Sequence, residues 1–352
     1  MDSNTFVTKE TKNKIRVDYE GKLSAKERLK AKFKASNTWI KAFVTVLRFV
    51  LMLGVSYVIL FPFFAKIAGS FMSKEDVINP TVSLIPKNFT LDIYRYTIIE
   101  NHYLQALLNT LLLSLACALI QMLISCLIGY GLAKFKFKGN KLIMATVVIT
   151  MIIPHATLKH SMLQHFSSFD ILTVINAGYT GPIQSILGEN LSLMNSFWPL
   201  VILSVTGLAF KNGLYIYLMR QFFKGVPDEL EESAYVDGAG TFRTFVQIIL
   251  PLSIPMMITI FIFAFSWQWT DEFYTNLFFT MREKQKLGLY LMPDIYANPP
   301  ASLDFSNFAG WDVYKLVIQN TAGIMIIMPL VIVYLFCQKY LVQGIERSGL
   351  VG

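Results

Sequence analysis

Long apolar runs alternate with polar segments along almost the whole of this 352-residue chain. Six runs are long enough to cross a bilayer, which requires about 20 apolar residues in a helix. They cover, approximately, residues 43–68, 105–132, 142–163, 195–218, 256–279 and 314–340. The pattern predicts an all-α membrane protein with a six-helix transmembrane domain at 43–340, a basic extension at 1–42 and a short tail at 341–352.

The polar interruption between the fourth and fifth runs, residues 227–255, predicts a short helical hairpin. Pro227 has a φ angle suited to a first helical turn, and the four acidic residues at 228–232 complement the positive end of the helix dipole. Gly238 tolerates a left-handed conformation, so the first helix should end there. A second helix should run from about Thr241 to Pro251. Both predicted helices are too short and too charged to cross a membrane.

A compact polar hairpin between two membrane spans indicates a docking surface. Phe242, Phe245 and Ile249 recur at helical spacing, so an amphipathic loop lying on the bilayer is an alternative. A helix-turn-helix that reads DNA is excluded, because such a motif requires clustered Lys and Arg. The only basic residue between Pro227 and Pro255 is Arg243.

Composition and charge support a membrane location and orient the chain. Hydrophobic residues make up 54% of the sequence, charged residues 15%, and the mean hydropathy is +0.49. Residues 1–42 hold eleven basic and five acidic side chains, a net +6 of the total +8. By the positive-inside rule this end is expected in the cytoplasm, and six crossings return the C-terminus there. The polar leading segment is too long for a cleavable signal. We expect residues 22–36 to form either an amphipathic helix on the inner leaflet or a solvated tail.

A second basic cluster follows the second predicted span. Lys134, Lys136, Lys138 and Lys141 lie within eight residues, and we interpret them as the mark of a return to the cytoplasm.

Motifs for catalysis and for metal binding are missing from the sequence. The chain contains no G-x-x-x-x-G-K-[ST] phosphate loop and neither G-x-S-x-G nor H-E-x-x-H, so we expect no catalytic residue and no ATP site. His155, His160 and His165 recur every five residues, and a helix turns them onto different faces. We therefore expect no metal site. Because the phosphate loop is missing, any ATP-driven step must depend on another chain.

The fifth predicted span carries an unusual polar and aromatic segment. Charged groups beside a span tend to face a cavity or a partner, and tryptophan rings can stack on a sugar. An interfacial aromatic belt, with its charges already in water, is the alternative interpretation. The candidate substrate-path residues are Trp267, Gln268, Trp269, Asp271 and Glu272.

The hairpin also has a recognisable motif. The motif consists of Glu-Ser-Ala at 232–234, Gly238 after three further residues, and Ile-Ile-Leu-Pro at 248–251 after nine more. This spacing resembles the EAA loop of permease subunits of binding-protein-dependent ABC importers. The family usually has alanine where this chain has Ser233. The resemblance implies the type I ABC importer permease fold, with this loop as a coupling helix that docks into an ATPase subunit. The residues assigned to coupling are Glu232, Ser233, Ala234, Asp237, Gly238, Ile248, Leu250 and Pro251.

Three further stretches are similar to the maltose-type permeases: PKNFTLDIYRYTI before the second span, ALLNTLLLS within it, and the closing QKYLVQGIERSGLVG. Residues 267–273 resemble the W-N-[DE]-F segment of that family, with Thr270 in place of asparagine. The resemblance covers roughly residues 43–352. It implies a sugar or oligosaccharide as cargo and a location in the bacterial cytoplasmic membrane.

The same resemblance implies a set of partners. They are a second, homologous permease subunit, two ATPase subunits that bind ATP and Mg, an extracellular binding protein and membrane lipid, with no nucleic acid. In the family an external loop reaches the binding protein, and here the matching candidates are Tyr290, Tyr296 and Trp311. Alternatives left open are cargo of amino acids, peptides or polyamines and, from another class, a self-sufficient secondary transporter. An intramembrane hydrolase is a third alternative, but the sequence has no nucleophile and base at usable spacing.

Overall fold

The computed structural model describes residues 6–10, 16–20, 36–170, 186, 191–280, 286–297 and 310–347. The chain forms two compact units, residues 1–65 and 66–352. The first unit holds an antiparallel hairpin of β1 (Phe6–Glu10) and β2 (Arg16–Glu20), which the sequence analysis did not predict. Residues 22–35 of the predicted amphipathic segment lie outside the described residues.

All other named elements of the described residues are helical. The first six helices are α1 (Ser36–Gly69), α2 (Lys74–Ile78), α3 (Asp92–Ile99), α4 (Tyr103–Lys134), α5 (Asn140–Ile152) and α6 (Lys159–Ser167), with a 3₁₀ turn at His155–Leu158. The others are α7 (Trp198–Val205), α8 (Asn212–Lys224), α9 (Glu229–Val236), α10 (Thr241–Thr244), α11 (Leu250–Trp269), α12 (Phe273–Phe278), α13 (Met292–Ala297) and α14 (Trp311–Arg347), with a π-helical turn at Phe245–Ile249.

Four helical stretches among the described residues are long and apolar enough to cross a membrane: Trp39–Gly69, Tyr103–Lys134, Thr241–Trp269 and Trp311–Leu341. They overlap the predicted first, second, fifth and sixth spans. Helices α5 and α6 together make a fifth candidate at the predicted third span, and they meet at an angle of 94°. The count of six spans stays a prediction.

The predicted fourth span, residues 195–218, is not a single helix. Helix α7 ends at Val205, and α8 begins only at Asn212. The connecting residues include Gly207 with φ of +73° and Lys211 with φ of +66°, both in the left-handed region that a right-handed helix cannot contain. These two residues end one helix and turn the chain into the next.

The predicted end of the second hairpin helix at Pro251 is wrong. Helical structure continues from Thr241 to Trp269, so the hairpin runs directly into the fifth span, whose helix ends ten residues before the predicted 279. Pro251 lacks an N–H and normally disrupts the preceding turn. Here the turn before it is π-helical, with the Leu250 N–H bonded to the Phe245 carbonyl. The wider turn accommodates the proline without ending the helix.

The centre of the second unit is the contact of α4 with α8 and α11, and α11 also packs against α14. Buried side chains at these contacts include Tyr130, Tyr215, Met219, Ile249, Ile260 and Trp269. Gly129 allows the closest approach of α4 to α8: a Cβ there would lie 2.6 Å from the Met219 Cβ and 3.0 Å from the Arg220 backbone nitrogen. A second cluster packs the short helices α6, α7 and α12 around Leu113 and Cys117 of α4.

We predict that Gly129→Ala destabilises the protein. The new methyl group meets backbone as well as a side chain, and such overpacking costs about 1–3 kcal/mol of unfolding free energy. Gly131→Ala is the matched control, because nothing lies within 4 Å of a Cβ at Gly131. Thermal unfolding in detergent, followed by size-exclusion chromatography, should show a lower melting temperature for Gly129→Ala only. Equal melting temperatures for the two variants would contradict the described packing.

Candidate functional site

The hairpin turn has the geometry of a helix C-terminus closed by glycine. Gly238 has φ of +81°, and its N–H donates to the Tyr235 carbonyl over 3.0 Å. The Ala239 N–H donates to the Ala234 carbonyl over 2.9 Å. These two bonds form a Schellman motif, which satisfies carbonyls that the end of α9 would leave unpaired. The predicted role of Gly238 in the turn is confirmed by this geometry.

The residues assigned to coupling divide into a buried and an exposed set. Ala234 is buried, and Ile248 and Leu250 are half-buried, so these three hold the hairpin onto the helices beneath it. The exposed members are Glu232, Ser233, Asp237, Gly238 and Pro251.

Sequence reasoning missed the apolar part of the exposed hairpin surface. Val236 is 87% exposed and Phe242 is 78% exposed, and they flank the turn at Gly238. The helical spacing had grouped Phe242 with Phe245 and Ile249, but only the latter two are buried. Phe242 lies in the first turn of α10, and the described residues leave most of its ring uncovered.

A cavity of about 170 Å³ lies beside the ends of α7 and α11. Four of the five predicted substrate-path residues line it, namely Trp267, Gln268, Asp271 and Glu272. The other lining residues are Gln121, Leu200, Leu203, Ala209, Phe210, Ala264, Thr270, Phe273 and Tyr274. The wall therefore combines aromatic rings, two amides and two carboxylates.

The two predicted tryptophans have different surroundings. Trp269 is 1% exposed, and its Nε1–H donates to the Ile326 carbonyl of α14 over 2.9 Å, so it belongs to the packed core and does not line the cavity. Trp267 is 49% exposed and meets Phe210 edge to face, with ring centroids 5.1 Å apart. The Lys211 Nζ lies 5.3 Å from the Trp267 ring centroid and 4.9 Å from that of Phe210, a cation–π arrangement.

The two carboxylates also differ. Asp271 accepts hydrogen bonds from the backbone N–H groups of Tyr274 at 3.2 Å and Thr275 at 3.1 Å, so it caps the start of α12. Glu272 is exposed at the cavity edge. Asp271 therefore shapes the helix break, whereas Glu272 is available to a ligand.

Three cavity residues carried no signal in the sequence analysis: Gln121, Phe210 and Tyr274. The Gln121 Nε2 donates to the buried Ser204 Oγ over 3.1 Å, which joins α4 to α7. The Tyr274 hydroxyl hydrogen-bonds the Nδ1 of His155. Among the described residues, no group of three or more His, Cys, Asp or Glu side chains could hold a metal ion.

One of the three candidate loop residues, Tyr290, lies on a segment that is fastened to the start of α4. The Asn109 Nδ2 donates to the carbonyls of Gly288 and Tyr290, each over 3.0 Å. The Tyr290 ring stacks on His102 with centroids 4.5 Å apart. Trp311 begins α14 and packs against a small cluster around Ile93. Tyr296 lies in α13, and its side chain is outside the described residues.

We predict that the two tryptophans differ in their effect on stability. Trp269→Ala removes a buried ring and should lower the unfolding free energy by about 3 kcal/mol or more. Trp267→Ala removes a half-exposed ring, and its cost should be about 1 kcal/mol or less. Heating the purified variants and measuring the soluble monodisperse fraction tests this order. A Trp267→Ala variant as unstable as Trp269→Ala would show that Trp267 also serves the core.

Comparison with solved structures confirms the fold. A bacterial ABC transporter involved in the import of the acidic polysaccharide alginate contains a chain that matches with a TM-score of 0.63 at 20% identity. The match covers 85% of this chain and 96% of that chain. The helical fold expected from the sequence is therefore confirmed, with the β1–β2 hairpin as an addition to it.

Curated relatives align over most of their length. The polygalacturonan/rhamnogalacturonan transport system permease protein YtcP of Bacillus subtilis (strain 168) is 27% identical over 284 residues, which is 80% of this chain and 89% of that protein. The maltodextrin transport system permease protein MalD of Streptococcus pneumoniae (strain ATCC BAA-255 / R6) is 27% identical over 303 residues, with 86% and 94% covered.

A family model described as binding-protein-dependent transport system inner membrane component matches residues 121–347. The matched region is more than half of the chain and includes both the hairpin and the cavity. This chain therefore belongs to the family of binding-protein-dependent transport system inner membrane components.

Proposed function

We propose that this chain is a transmembrane permease subunit of an ATP-driven importer of sugars or oligosaccharides delivered by an extracellular binding protein. The observation that carries the proposal is the hairpin, whose buried half is fixed to the helices and whose exposed half presents Val236 and Phe242. The chain itself is non-catalytic in this scheme. ATP and Mg are bound by two separate ATPase subunits, and a second permease subunit completes the pathway.

The hairpin surface favours a protein partner over a lipid surface. Val236 and Phe242 are apolar and exposed, which is typical of an interaction site. The acidic side chains Glu232 and Asp237 are exposed on the same hairpin. An anionic inner leaflet repels such carboxylates, whereas a protein cleft can pair them with basic groups. Docking into an ATPase subunit satisfies both features.

The proposed cargo is a carbohydrate. The names of several relatives specify saccharide transport, including maltodextrin and galactooligosaccharides. The cavity offers a partly exposed tryptophan, the Gln268 amide and the Glu272 carboxylate, groups suited to the apolar faces and hydroxyls of a sugar. In the alternative hypothesis, the cargo consists of amino acids, peptides or polyamines.

The proposed orientation follows the positive-inside rule. The N-terminus, the hairpin and the tail at 341–352 face the cytoplasm, and residues 286–297 face the binding protein. The tail is a second candidate contact with the ATPase. In the described residues α14 continues past the predicted span end to Arg347, so the helix reaches into this tail.

Copurification tests the proposal directly. The tagged chain, isolated from its native membrane in mild detergent, should carry a second permease and an ATPase chain. Its ATPase rate should rise severalfold when the cognate binding protein is added with its sugar. A preparation without an ATPase chain that still transports in vesicles would identify a self-sufficient transporter and would overturn the proposal.

We further predict that Gly238→Ala weakens coupling. An alanine at φ of +81° is strained by about 1–2 kcal/mol, although nothing lies within 4 Å of the new Cβ. The strain distorts the turn between α9 and α10. If the whole strain energy weakens docking of the hairpin, the binding-protein-stimulated ATPase rate should fall about 5- to 30-fold.

Gly240→Ala is the control for the Gly238 experiment. Gly240 has φ of −77°, and a Cβ there also meets nothing within 4 Å. Its stimulated rate should stay near the wild-type value. Full stimulation in Gly238→Ala, together with normal uptake, would count against the role of the turn.

A further inference from the structure

Lys134 is set apart from the other lysines of its cluster by its burial. The sequence groups it with Lys136, Lys138 and Lys141 as a topological signal, and those three side chains are exposed. The Lys134 side chain is 7% exposed. A buried lysine requires partners for its charge, because desolvation of an unpaired ammonium is costly.

Both partners of Lys134 lie at the entrance to the hairpin. Its Nζ donates to the Val226 carbonyl over 2.7 Å and to the Asp228 Oδ1 over 2.5 Å. Val226 and Asp228 belong to the short connection between α8 and α9, and Asp228 is the N-cap residue of α9. One ammonium group therefore joins the last residue of α4 to the first residues of the hairpin.

The end of α4 that carries Lys134 is itself held in place. The Leu132 carbonyl accepts hydrogen bonds from the Arg220 Nε over 3.3 Å and from the Asn140 Nδ2 over 3.2 Å. The same Asn140 amide donates to the Phe135 carbonyl over 3.1 Å. These bonds tie the C-terminus of α4 to α8 and to the start of α5. Lys134 thus projects from a helix end that is bonded to both neighbouring helices.

Helix α4 also reaches the cavity. Gln121 lines the cavity wall and lies thirteen residues before Lys134 on the same uninterrupted helix. At a rise of 1.5 Å per residue, the two side chains are separated by about 20 Å along the axis. A displacement of α4 at the cavity is carried to Lys134 because an α-helix is stiff over this length.

We propose that Lys134 is a positioning residue that transmits movement of α4 to the hairpin. The proposal rests on the proposed function, in which the hairpin docks into an ATPase subunit. The hydrogen bond from Lys134 to the Val226 carbonyl fixes the direction in which the chain enters the hairpin. The bond from Lys134 to the Asp228 carboxylate fixes the position of the first turn of α9. The hydrogen bond from Lys134 and its positive charge also hold the pKa of the Asp228 carboxyl below its usual range. An exposed partner such as Asp228 adds little stability, and the role of the contact is orientation.

The test is the ratio of binding-protein-stimulated to basal ATPase in the complete, reconstituted complex. Lys134→Met keeps the unbranched side chain up to the position of Cε and removes both hydrogen bonds, and we expect the ratio to fall at least fivefold with a normal basal rate. Lys134→Arg should restore at least half of the ratio. Lys138→Met removes the same charge from an exposed position in the connection that follows α4, and it should behave as the wild type.

A double-variant comparison separates positioning from general damage. Asp228→Ala should lower the ratio about twofold, because one of the two hydrogen bonds is lost, and it serves alone if Lys134→Met does not assemble. Adding Asp228→Ala to Lys134→Met should cause no further loss, since the contact is already absent.

Each remaining outcome assigns the failure to one hypothesis. A ratio in Lys134→Met equal to that of Lys138→Met, or an unchanged ratio in Asp228→Ala, would overturn the role of Lys134 and leave the importer assignment intact. A parallel loss of basal and stimulated rates in an assembled Lys134→Met complex would also overturn it, because it would show a structural role only. Absence of any stimulation in the wild-type complex would instead contradict the proposed function.

Discussion

Backbone groups inside a bilayer must be hydrogen-bonded by the protein itself, because hydrocarbon supplies no partner. The long helices satisfy this constraint internally, and each break in a helix needs another solution. Residues 206–211 and 270–272 form two breaks that flank the cavity. At the first, the Leu203 carbonyl accepts two backbone N–H groups of the break, and at the second the Asp271 carboxylate caps the next helix. The cavity exists because these breaks are compensated locally.

Helix α4 connects the parts of the molecule that function requires. Its first half fastens the 286–292 segment through Asn109, and its middle lines the cavity through Gln121. Close packing at Gly129 joins it to α8, and its last residue holds the entrance of the hairpin. A single stiff helix thus contacts the candidate cargo site and the candidate coupling surface, which is the arrangement that an energy-coupled permease needs.

The hairpin was predictable from sequence because its determinants are local. A proline, a set of acids and a glycine at fixed spacing specify a helix start and a left-handed turn through backbone geometry alone. The predicted stop at Pro251 failed because the π-helical turn before it removes the usual conflict. The helix break within the predicted fourth span was also not foreseen, since the overall hydropathy of that stretch gives no sign that Gly207 and Lys211 adopt positive φ.

The sequence by itself determined the membrane class, the approximate positions of most apolar helices and the hairpin motif, because these depend on hydropathy and on neighbouring residues. Tertiary structure decided which side chains share a surface. It separated Trp267, which faces the cavity, from Trp269, which hydrogen-bonds α14, although the two lie only two residues apart in one helix. It also distinguished buried Lys134 from exposed Lys138. Contacts between residues far apart in the chain depend on helix packing, which hydropathy does not encode.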